Sequence, residues 1–172
     1  MTIIIGIDPG SRITGYGIIR LVGNKSSFID CGSLYLTGTK SHEKLSQIYS
    51  ELKKIVTLHK PDEAAIEQIF MHQNPNSALK LGQARGAAMV ALGVPISEYS
   101  ARQVKQSIVG YGAAKKEQIQ HMIKRLLNIS EELQADAADA LAIALCHAHS
   151  RSNLQKGISM RRKKSSWRNF TP

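Results

Sequence analysis

The chain has 172 residues, 42% of them hydrophobic, which is enough for one domain with a sizeable core. Its apolar runs fall far short of the roughly 20 residues that span a bilayer, no signal peptide opens it, and Cys31 and Cys146 show neither metal spacing nor a CxxC pair, so a soluble cytoplasmic protein with reduced thiols is expected. Lys and Arg number 23 against 13 Asp and Glu, a net charge of +10 that points to a polyanion, most simply nucleic acid.

In chain order, residues 3–8 (IIIGID) are an apolar run too short for a helix and read as a buried strand, closed by a Pro9-Gly10 turn. Residues 13–22 alternate loosely, and SSFIDCGSLYL continues as a third strand, predicting an antiparallel meander. Leu45, Ile48, Tyr49, Leu52, Ile55 and Val56 then recur at helical steps, with Ser41 as expected N-cap and Pro61 as stop. DEAAIEQIF reads as a fourth strand bearing Glu67. The next helix, NPNSALKLGQARGAAMVALG, has Asn74 at its cap, Pro75 in its first turn and Gly93 past its end. VPISEY is a short fifth strand. Ser100 and Gly110 bracket a helix, and Ile119, Met122, Ile123, Leu126 and Leu127 mark another. The last helix is expected from about Glu131 to Ala148, capped by Ser130.

This order predicts an α/β domain over residues 1–150, a five-stranded mixed sheet flanked by helices. Residues 151–172 form a basic tail, expected to be disordered. It holds seven basic residues and no acid, which leaves 16 basic against 13 acidic residues in the first 150. The tail also fits a solvated end with no partner.

Asp8 ends the first strand and Glu67 the fourth, while Asp136 and Asp139 lie three apart on the last helix, about 60° apart around its axis and bordering its apolar face. Strand ends in such sheets project into the ligand crevice. Singly, Asp8 fits a turn residue, Glu67 an exposed strand end, and the two helix aspartates ordinary surface. Jointly, four carboxylates at one rim would repel unless a cation stood between them. Oxygen ligands suit Mg²⁺, with Mn²⁺ able to substitute, and two such ions can activate water and stabilise the leaving oxygen of a phosphodiester.

Phe70 follows Glu67 by three residues and suits stacking on bases, or closing the strand as a core residue. Lys80, Arg85, Arg102, Lys105 and Lys116 are candidate phosphate contacts, each also readable as a solvated charge. Gly82 and Gly86 stand one turn apart where Gly is unfavourable by up to about 1 kcal/mol. Close packing on the chain's own sheet is expected, with a helix across a dimer interface as the alternative.

GIDPGSRITGYG, AIEQIFM, NSALKLGQARG, ARQVKQSIVGYG and QADAADALAIA together resemble the bacterial RuvC Holliday-junction resolvases of the RNase H-like (integrase-like) superfamily, over about residues 2–150. The resemblance implies an RNase H-like fold and a homodimer that cuts two opposed strands of a four-way DNA junction symmetrically. It also implies 5′-phosphate products, a preference for cutting after a TT step, and RuvA–RuvB as partner; the four acids themselves lead us to expect two metals per subunit. It places catalytic and metal-binding acids on Asp8, Glu67, Asp136 and Asp139, with Asp136 the least essential. Catalytic lysines fall on Lys105 and Lys116, and the junction-probing aromatic on Phe70. Lys115 departs from relatives that carry an acid there, and MRRKKSSWRNF has no counterpart in the family. Two other readings stay open: an RNase H-like nuclease acting on hybrids or simple duplexes, and a non-catalytic junction-binding protein.

Overall fold

The computed structural model describes residues 1–68 and 75–163, with backbone alone for 152–163. A five-stranded sheet holds β1 (Thr2–Asp8), β2 (Ile13–Val22), β3 (Lys25–Tyr35), β4 (Glu63–Glu67) and β5 (Ile96–Tyr99) in the order β3-β2-β1-β4-β5. Strands β1 to β3 pair antiparallel, as the turn spacing predicts, whereas β4 and β5 run parallel to β1 and make the sheet mixed. β1 is central because it can be: Ile4, Ile5 and Ile7 are fully buried, and only a strand covered on both faces tolerates so continuous an apolar run.

Two helices, α1 (Ser41–His59) and α2 (Pro75–Leu92), cover one face, where Ile5, Ile7, Ile18 and Ile66 meet Ile48, Leu52, Ala84 and Ala88. The other face carries α3 (Ala101–Val109), α4 (Lys116–Leu127) and α5 (Ala135–Lys163). Helix α5 lies on the sheet itself. A Cβ on Gly6 would strike Ala140 and Ala144, one on Gly15 would strike Asp136, and one on Gly17 would come within 2.7 Å of the Leu141 amide. These three glycines let α5 approach β1 and β2, and so set the depth at which its acids stand.

Several helix ends differ from expectation. Ser41 is the first helical residue of α1 rather than its cap; Lys40 is the N-cap, and the Glu43 carboxylate accepts from the Thr39 and Lys40 amides instead. Helix α3 is capped as predicted, with Ser100 accepting from the Gln103 amide and Gly110 left-handed at φ 86°. Helix α5 begins at Ala135, so Ser130 does not cap it. Leu133 fits the helical spacing but belongs to the connector, packed on the core, and the Gln134 carbonyl accepts from Ala138. At its other end α5 runs to Lys163, past the expected stop at Ala148, since no proline or left-handed cap interrupts it. Gly82 and Gly86 do not pack on the sheet: a Cβ on either would meet nothing within 4 Å. Cys31 is half-buried and Cys146 buried, both free thiols.

Candidate active site

Asp8 is the last residue of β1, with Gly15 opposite it on β2, and Glu67 is the last of β4. The turn after Asp8 is braced by the fully buried Thr14, whose hydroxyl donates to the Gly10 carbonyl at 3.2 Å and accepts from the Gly10 amide at 3.4 Å. Asp136 and Asp139 occupy the first turns of α5, which crosses above Gly15. The topology thus brings all four acids to one rim of the sheet.

Their electrostatics reflect this proximity. Burial, then the charges of Asp139, Glu67 and Asp136, push the Asp8 carboxyl from 3.8 up to about 7, eased by Lys116. Burial and Asp139 also raise Glu67, while Lys105 lowers it. Lys116 donates to Asp139 at 2.7 Å, and this bond holds its ammonium above the usual lysine range. Among the described residues no three His, Cys, Asp or Glu side chains close around a single point. The acids face a shared space, with the Lys116 ammonium against one of them. An all-oxygen donor set of this kind suits a hard divalent cation and offers nothing to a thiophilic one.

The remaining candidates divide. Lys105 and Lys116 stand at the rim. Arg85 does not present a free charge: its Nε donates to the Glu67 carbonyl at 3.1 Å, and its guanidinium pairs with Glu98 at 2.7 Å. It anchors the end of β4, a role that sequence spacing could not reveal because the partners lie 18 and 13 residues away. Arg102 lays its stem over Gly112. Lys80 lines a separate cavity beside α1. Phe70 lies outside the described residues. Sequence reasoning missed Thr14, although a β-branched hydroxyl four residues after a Pro-Gly turn is a recognisable brace.

The family model described as crossover junction endodeoxyribonuclease RuvC matches residues 4–147. A protein of that name from Acinetobacter baumannii is 57% identical over 91% of this chain and 88% of its own. One from Tolumonas auensis is 58% identical over 90% and 91%. The structure of T. thermophilus RuvC in complex with a Holliday junction substrate superposes with a TM-score of 0.82 at 30% identity, covering 89% of this chain and 96% of that one. A yeast mitochondrial Holliday junction resolvase shares the fold at TM-score 0.64 and 12% identity. With the matched region enclosing the sheet, the acid rim and both lysines, the chain belongs to the RuvC family of crossover junction endodeoxyribonucleases.

Proposed function

We propose that the protein is a structure-specific endonuclease that resolves Holliday junctions by hydrolysing phosphodiesters in two opposed strands, in DNA recombination and repair. The observation that carries this reading is the convergence of Asp8, Glu67, Asp136 and Asp139 at one rim of the sheet, where burial and the three other acids push the Asp8 carboxyl up. Charge frustrated in this way does not stabilise a fold; it waits for a cation and a phosphate. Asp8, Glu67, Asp136 and Asp139 would hold Mg²⁺ or Mn²⁺, two per subunit. Bound metal would supply water activation and leaving-oxygen stabilisation. Lys116 and Lys105 place ammonium groups where charge builds on the phosphate, and Lys116 also keeps Asp139 oriented until substrate arrives.

Cutting two opposed strands calls for two sites related by a two-fold axis, hence a homodimer. The exposed face of α2 supports one. Leu79 and Val90 are 63% and 71% exposed, and between them Gly82 and Gly86 leave the backbone open to close approach. The groove beside them is lined by Leu45, Tyr49 and Ala87. Phe70 is read as the base-stacking probe and RuvA–RuvB as partner, both on the family resemblance.

Incubation with a synthetic four-way junction, a matched duplex and an RNA:DNA hybrid, with and without Mg²⁺, tests the reading. Paired nicks in the junction alone, and only with metal, are expected. Cutting of the hybrid or duplex at equal rate would favour a general RNase H-like nuclease, and junction binding without nicks a non-catalytic binder.

A further inference from the structure

A cavity of about 220 Å³ lies between the turn after β1 and the N-terminal parts of α1 and α2, lined by none of the four acids. It is large against the about 30 Å³ that one water occupies in the liquid. Arg12, Lys44 and Lys80 line it together with Ser11, Thr39 and Ser41, and no carboxylate does; the Thr39 hydroxyl already donates to Glu43 at 3.3 Å, which leaves the two serines as hydroxyl donors. Among the described residues none of these three cations has an ion-pair partner, unlike Arg85, Lys116 and Arg151. Glu43, the acid nearest Lys44 in sequence, is already engaged: hydrogen bonds from the Lys40 amide, above all, and from Thr39 hold its carboxyl below the usual range.

Three unpaired cations around one polar cavity repel each other and gain from an anion. A guanidinium fork, two ammonium groups and hydroxyl donors make a set that suits phosphate oxygens. Arg12 stands four residues after Asp8, so their Cα atoms are at most about 14 Å apart. That is about four nucleotides at 3.4 Å per nucleotide. The cavity shares Leu45 and Gln83 with the groove beside the exposed α2 face, which places it between the acid rim and the dimer face.

We propose that this cavity holds a backbone phosphodiester of a junction arm within one helical turn of the cleaved bond, as a second phosphate site that fixes the register of the strand. The proposal rests on the junction-nuclease reading. Contacts of this kind position a nucleic acid without reading its sequence.

The test places single neutral methylphosphonates along each strand of a synthetic junction. Affinity is measured without divalent metal for the natural protein, Arg12→Gln and Lys44→Gln. The natural protein should lose on the order of tenfold in affinity, the size of one charge-assisted hydrogen bond, at one position per contacted strand. That loss should shrink in both Arg12→Gln and Lys44→Gln, and in each the plot of log affinity against log salt should be shallower by about 0.9. Positional profiles that are the same in all three proteins would overturn the proposal. So would protection of the natural protein, but not Lys44→Gln, from heat by inorganic phosphate with the profiles unchanged, which would assign the cavity to a free anion. If the protein does not prefer the junction to a matched duplex, the junction reading fails instead, and the same scan on the duplex still decides the cavity.

Discussion

Glu63 and Glu67 stand at the two ends of one five-residue strand, facing the same helix, yet their surroundings are opposite in kind. Glu63 accepts from His147 Nε2 at 2.8 Å and from Arg151, and His147 Nδ1 meets the Tyr99 hydroxyl at 2.8 Å. Its charge is matched by its own neighbours, and the cluster ties α5 to β4 and β5. Glu67 is raised by burial and by Asp139, with only Lys105 opposing. Along α5, Asp139 and His147 are eight residues, or about 12 Å, apart. The middle of the helix is therefore a satisfied clasp, and its first turns carry acids held together by the fold at electrostatic cost. Glu63 is matched by partners within the chain and serves stability, whereas at the rim one paired ammonium, Lys116 on Asp139, stands against four acids and leaves charge for a ligand.

Substitutions at the two ends should separate these roles, and the largest effect should fall at the rim. Asp8→Asn, Glu67→Gln and Asp139→Asn should each abolish junction cleavage while leaving binding intact or tighter, because removing a carboxylate lowers the repulsion of phosphate. Asp136→Asn should be milder. Gel-shift and nicking assays on the same preparations check this, and near-normal cleavage by Glu67→Gln would remove it from the metal site. Next in size, Lys116→Ala should slow single-turnover cleavage at saturating protein on the order of a hundredfold. An unchanged rate would leave Lys116 as a phosphate contact only.

At the satisfied end the expected effect moves from rate to stability. His147→Ala leaves Glu63 and Tyr99 short of a partner and should cost about 1–3 kcal/mol in a denaturant titration, with cleavage per folded molecule unchanged well below the unfolding midpoint. Loss of activity without loss of stability would blur that distinction. The smallest effect concerns the basic C-terminal residues. Removal of residues 152–172 keeps Arg151 on Glu63. It should lower the salt slope of junction and duplex binding by about 0.9 for every phosphate that those residues neutralise, without altering where the junction is cut.

Much of this architecture is legible in the sequence, for reasons that differ by element. β1 is readable because a short uninterrupted apolar run has few other uses, and α3 because Ser100 and Gly110 mark both ends with local chemistry. The start of α5 is not, since Leu133 satisfies helical spacing while packing from a connector. The four acids are visible as strand-end and helix-border charges, but their convergence depends on Gly6, Gly15 and Gly17 admitting α5 to the sheet, which spacing does not encode. Arg85 looks like a free cation in the sequence because its partners come from β4 and β5. Gly82 and Gly86 look like packing glycines because a sequence does not say whether the space beside a helix is filled.

The rim is held in electrostatic frustration, and the thermal unfolding midpoint tests that claim most directly. The folded-state value for Asp8, about 7, lies above its unfolded value of 3.8. Its contribution to stability is therefore full below pH 3.8 and is lost as pH rises to about 7. Midpoints of the natural protein and Asp8→Asn should be followed from pH 5 to 9, with and without Mg²⁺. The natural protein should lose stability relative to Asp8→Asn as pH climbs to about 7, and Mg²⁺ should restore it at pH 8 but not at pH 5. Each kcal/mol relieved should raise the midpoint by about 2–4 °C. Parallel pH curves for the two proteins, with Mg²⁺ shifting both equally, would contradict the account.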